Sequence, residues 1–184
     1  MTTQQSTIHQ VDCDVWNLPS SITTYERLHP KTGLDPATDQ YLASIAPAYD
    51  GLGRVMAQLS GIFLLVLTRA GPGLHLDHAI YTVALDQLAE AREIIRSVVA
   101  PDLARRHRAG LVDLADRLKE AAAGMDRMAG RRYLSDRETD KRNILQRLAA
   151  AQRLLIATAE PDFGITPVDF NNACCNCAIT RSRS

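Results

Sequence analysis

Apolar side chains recur every three or four residues through three long stretches of this chain, and that period limits the fold more than any other feature. Leu103, His107, Leu111, Leu114, Leu118, Ala122, Met125 and Met128 share one helical stripe. Leu74, His78, Tyr81, Leu85, Leu88 and Ile95 form another, widened by Ile80, Val83 and Val98. Ile144, Leu148, Ala151 and Leu155 form a third, with Leu145 and Ile156 beside it. Strands alternate with period two, so these patterns read as amphipathic helices. The composition agrees. Aromatic residues make up 5% of the chain against 46% apolar residues, mostly Ala, Leu, Ile and Val. That balance favours helices over strands.

Helix boundaries follow from capping chemistry and from breakers. Asp35-Pro36 is a helix start, because Asp accepts from free N–H groups and Pro fits the first helical position. Pro47 removes a donor and clashes with the preceding turn, which predicts a short helix over 36–46, a kink, and a main helix over 48–69. Gly71-Pro72-Gly73 ends it. The second helix is expected over 74–99. Pro101 opens a third over 101–129, stopped at Gly130. Ser135-x-x-Glu138 is a capping box that starts a fourth over 136–159, closed by Glu160-Pro161. Four long helices with short connections predict an all-α fold, an antiparallel four-helix bundle of up-down-up-down topology.

The domain plan is an irregular N-terminal arm over 1–34, the helical bundle over 35–160 and an extended Cys-rich tail over 161–184. The arm holds Pro19, Pro30 and Gly33 without a sustained period. Its apolar residues (Val11, Val15, Trp16, Leu18, Ile22, Tyr25 and Leu28) suit a segment laid on a surface. Trp16, the single tryptophan, is expected to plug an edge of the core. At 184 residues the chain can bury a core without a disulfide or metal staple.

Charge excludes some classes. Lys+Arg and Asp+Glu are 21 each, with none of the basic excess of a nucleic-acid binder. The charge is nonetheless uneven, net −4 over residues 1–100 and net +4 over 101–160, a difference that could orient a partner or a second copy in a homo-oligomer. The most apolar run, Gly61 to Leu67, is too short for a span that needs about 20 apolar residues, so it is expected to be a buried helix and no membrane is expected as a partner. The first 30 residues lack an apolar run behind a basic start, so a cytoplasmic location is expected, with reduced thiols.

Three of the four cysteines, Cys174, Cys175 and Cys177, fall within four residues near the C-terminus; Cys13 is the fourth. Core cysteines scatter among apolar positions, whereas these cluster in a polar, aperiodic terminus. Clustered thiolates select soft ions such as Cu(I) or Zn(II). The two-residue gap of Cys174-x-x-Cys177 lets two sulfurs reach one metal. Zinc wants four ligands, so Cys175, Cys13 or a histidine (His75, His78 or His107) would complete the shell. A thioredoxin-like role lacks the strand and the following helix that such chemistry uses. In layout, the Cys-, Ser-, Thr- and Asn-rich terminus behind a larger N-terminal part resembles ribosomally made, enzymatically modified peptide precursors. That resemblance implies a modifying enzyme docking on the bundle, in place of a metal-delivery partner. The remaining alternative is a helical interaction module with an inert tail.

Other catalytic constellations are weak, so the chain is expected not to be an enzyme. His78 and His107 lie on apolar stripes, where a histidine is more often a bonded core residue than a ligand. An antiparallel layout also separates them by roughly 24 Å along the helix axis. His75-Leu76-Asp77-His78 sets two imidazoles at i, i+3. A ferritin-like di-iron site needs inward Glu-x-x-His motifs on two helices, and the single such motif, Glu26 to His29, falls in the arm. Arg105-Arg106-His107-Arg108 is a short basic run without a glycine-rich phosphate loop, since Gly51-x-Gly53 and Gly71-x-Gly73 lack the rest of that pattern. From Pro161 to Cys174 the tail extends at most about 45 Å, enough to reach most of the bundle surface. Phe163, Ile165, Val168 and Phe170 are placed to pin it there.

Overall fold

The computed structural model describes residues 35–68, 79–130 and 137–167. They fold as an all-α protein. Helix α1 spans Pro36–Thr68, α2 Ala79–Ser97, α3 Arg105–Gly130 and α4 Arg137–Ala157. Single 3-10 turns at Asp102–Ala104 and Pro161–Phe163 precede α3 and follow α4. Among the described residues there is no strand, only an isolated antiparallel bridge between Glu160 and Ile165. The pairs α1–α2 and α3–α4 pack most extensively, and α1 also touches α3 and α4. All four helices bury side chains in one hydrophobic core.

The start of α1 follows the capping prediction. Asp35 Oδ1 accepts from the Thr38 backbone N–H at 2.9 Å and Oδ2 from the Thr38 hydroxyl at 2.9 Å. Those bonds hold the Asp35 carboxyl below its ordinary value. Pro47, in contrast, does not divide the helix, and α1 runs through it unbroken. The ring sits on the exposed side, and so does Ala43, whose carbonyl loses its helical donor and can turn to water. Tyr41, Leu42 and Ile45 before the proline and Ala48, Tyr49 and Leu52 after it are buried on the opposite face, so packing holds both halves in the helix.

The stripe of α3 is buried as expected from His107 to Met128, and that of α4 from Ile144 to Leu155. Three expectations fail. Leu103 is 61% exposed, because it lies in a 3-10 turn whose tighter winding brings Ala104 inward instead. Ile80, Val83 and Leu85 of α2 are exposed; its buried face is Tyr81, Ala84, Leu88, Ala91 and Ile95. Tyr81, Leu88 and Ile95 of the expected stripe are thus buried, while Ala84 and Ala91, not Leu85, complete the face. A Cβ at Gly51 of α1 would stand 3.6 Å from Ala91 Cβ, so glycine and alanine let these two helices approach closely. Finally, the apolar run at the end of α1 is only half covered: Ile62 and Phe63 are buried, whereas Leu64, Leu65 and Leu67 are exposed. By length and composition Pro36–Leu67 would suffice to cross a membrane, although its inner face is packed against the other helices.

The α3–α4 contact depends on a glycine as well. A Cβ at Gly124 would fall 2.7 Å from Ile144 Cγ1, while one at Gly53 would meet nothing within 4 Å. Both lie inside helices, where alanine is favoured over glycine by up to about 1 kcal/mol. Urea unfolding should therefore give opposite signs. Gly53→Ala should stabilise by up to about 1 kcal/mol. Gly124→Ala should destabilise by about 1–2 kcal/mol once overpacking outweighs propensity, and should cost less in an Ile144→Ala background, where the Cγ1 that the new methyl meets is gone.

Candidate functional site at the root of the cysteine tail

The end of the fold from which the tail departs is built around His107. Its imidazole is buried, near the start of α3, between α1 and the end of α4. Nε2 lies 2.9 Å from the Thr158 carbonyl oxygen. A carbonyl only accepts, so Nε2 carries the proton and donates. Nδ1 is then the bare nitrogen, and it accepts from the Tyr41 hydroxyl at 2.8 Å. The two rings meet edge to face, with centroids 5.6 Å apart. Burial pushes the Tyr41 hydroxyl above its ordinary value, which keeps it a donor. Burial also pulls the His107 imidazolium below its ordinary value, and the Thr158 bond and the Glu160 carboxylate oppose that shift.

Beyond Thr158 the chain reverses. The Glu160 N–H donates to the Ile165 carbonyl at 2.8 Å, and the Ile165 N–H to the Glu160 carbonyl at 3.1 Å. Gly164 closes the turn at φ 73°, a left-handed conformation that suits glycine. Ile165 is buried, while Phe163 is 37% exposed. Of the four residues expected to pin the tail, Ile165 is inserted in the core and Phe163 lies at the surface; Val168 and Phe170 fall outside the described residues.

Two more tyrosines cross-link the helices. The Tyr49 hydroxyl donates to the Leu155 carbonyl at 2.7 Å, joining α1 to α4. The Tyr81 hydroxyl donates to Asp126 Oδ1 at 2.8 Å, with the Ala122 carbonyl at 3.1 Å, joining α2 to α3. The basic run has a structural task of its own. Arg108 Nε donates to the Ile95 carbonyl at 3.0 Å and Nη2 to the Arg96 carbonyl at 3.3 Å, so the guanidinium caps the C-terminus of α2. Arg105 pairs with Asp102 at 2.5 Å. A shallow groove of about 480 Å³ separates Arg96, Arg105 and Arg108.

Of the candidate ligands named from sequence, the described structure contains His107 alone. Both of its nitrogens are engaged inside the protein, so in this arrangement neither faces an ion. Cys13, His75, His78, Cys174, Cys175 and Cys177 lie outside the described residues, as does Ser135 of the capping box. Its partner Glu138 accepts from Lys141 at 2.6 Å. Among the described residues, no group of three or more His, Cys, Asp or Glu side chains stands close enough to hold a metal ion. Sequence reasoning missed Tyr41, Thr158 and Glu160. A buried histidine on a stripe needs two polar partners, which was a signal to seek them, but not where. No known protein family, curated protein or solved structure matches the chain.

The imidazole makes stability depend on pH. With the folded value below the unfolded value of about 6.5, its effect is absent above that pH. As pH falls below about 6.5 the unfolded state takes up the proton first, and stability declines until the folded ring protonates too. The difference in unfolding free energy between wild type and His107→Gln should therefore shrink on acidification below that pH. Tyr41→Phe leaves Nδ1 without a donor and should cost about 1–3 kcal/mol at neutral pH. Urea titrations across the pH range check both.

Proposed function

We propose that this chain is a non-catalytic helical scaffold, an antiparallel up-down-up-down bundle, that carries a thiolate segment for a soft metal ion or metal cofactor. Cys174, Cys175 and Cys177 are the ligands. One observation carries the reading: the helices close their core through Ile165, and the first of three cysteines in four residues comes nine positions later. The scaffold is thus complete before the sulfur chemistry begins. Three soft donors so close together suit Cu(I), which accepts low coordination with thiolates, better than Zn(II), which needs a fourth ligand. His107 is committed to Tyr41 and Thr158, which leaves Cys13, His75 and His78 as accessory ligands.

The same layout supports a second reading, in which a folded region of over a hundred residues presents a short terminus to a modifying enzyme. The tail is then a substrate and the bundle its recognition element, with no catalytic group required on the bundle. Both readings place the protein in the cytoplasm, where thiols stay reduced.

Two measurements separate these readings. Reduced protein titrated with Cu(I) and Zn(II) should bind through the tail, and a Cys174→Ser, Cys175→Ser, Cys177→Ser variant should lose that uptake while keeping its helical circular dichroism. Equal uptake by both proteins would falsify the metal reading. Intact mass of the protein from its native host decides the other: a covalent mass change confined to the tail, without metal uptake by the reduced chain, selects the modified substrate.

A further inference from the structure

At the opposite end of α1 from the tail root lies an apolar surface that the core does not use. Leu64, Leu65 and Ile80 are each 58% exposed. With Ala57 and Gly61 they line a groove of about 510 Å³ between α1 and α2. Gln58 lines the same groove, and its Oε1 is buried with no hydrogen-bond partner among the described residues. An acceptor shut off from water without a donor is costly. That oxygen is sealed beneath the groove, whose open lining is apolar, so the surface suits a large apolar body.

Trp16 has that chemistry. Indole is a broad apolar ring whose one polar group is a donor. It is the only tryptophan of the chain, flanked by Val15 and Leu18 in an arm that also holds Ile22. The arm is long enough. Gly61 lies 25 residues along α1 from Pro36, about 38 Å at the helical rise. Trp16 precedes Asp35 by 19 residues, up to about 65 Å of extended chain. An arm tethered to the same helix is present at an effective concentration of order millimolar, which favours it over a second copy at micromolar concentration.

We propose that this groove is the seat of Trp16, with the indole packed against Leu64, Leu65 and Ile80 and the arm over 1–34 laid back along α1. The arm thereby covers the leucines that the helices alone leave in water.

Because Trp16 is the single tryptophan, its fluorescence reports on this site alone. In the full-length protein, emission should lie to the blue of the urea-unfolded chain, and acrylamide should quench it several-fold less. Gly61→Leu fills the groove at a position where a Cβ meets nothing within 4 Å and where the helix gains from losing glycine. This variant should keep or increase helical circular dichroism, yet bring quenching of Trp16 close to the unfolded value. The proposal is overturned if wild-type Trp16 is as quenchable as in urea. It is equally overturned if Gly61→Leu leaves quenching unchanged, or if the shielding vanishes on dilution, which would assign the cover to a second copy.

Discussion

The imidazole of His107 is held at both nitrogens by neighbours from α1 and from the end of α4, and the tail end of the fold is organised around it. Fixing the proton on Nε2 by a carbonyl makes Nδ1 an obligatory acceptor, which in turn fixes the direction of the Tyr41 hydroxyl. The chain just after Thr158 can then fold back and bury Ile165. In a core made mostly of alanine and leucine, apolar contact alone leaves helices free to slide and rotate. A hydrogen bond between buried groups does not, because a shift leaves both partners unsatisfied in a low dielectric. Tyr49 and Tyr81 apply the same rule at two other contacts.

The fold combines these polar links with close approach. Gly51 against Ala91 and Gly124 against Ile144 bring helices together where larger side chains would hold them apart. Surface ion pairs, such as Arg147 with Glu120 at 2.9 Å, add little each. Arg108 has more weight, because it satisfies backbone carbonyls at the end of α2 that no intrahelical donor reaches.

Both proposed roles lie outside this helical core. The proposed thiolate segment begins beyond the tail root, and the proposed seat of Trp16 is at the far end of α1. Neither draws on the core for its chemistry.

The helical class, the number of long helices and most of their boundaries were legible in the amino-acid order, because periodicity and capping are local properties. The stripes of α3 and α4 were legible for the same reason: Leu111, Leu114, Leu118, Met125 and Met128, and Ile144, Leu148 and Leu155, mark them with large apolar side chains. The stripe of α2 was legible in Tyr81, Leu88 and Ile95 but not in Ala84 and Ala91, since small side chains carry little hydrophobic signal despite setting the interhelical distance. The continuity of α1 through Pro47 was also hidden, because burial on both sides of the proline outweighs a local breaker. The candidate site divides along the same line. The cysteine cluster is visible in the sequence as composition. The partners of His107 lie 66 residues before it in sequence and 51 after it, and only packing of the helices brings a hydroxyl and a carbonyl to the two nitrogens of one ring.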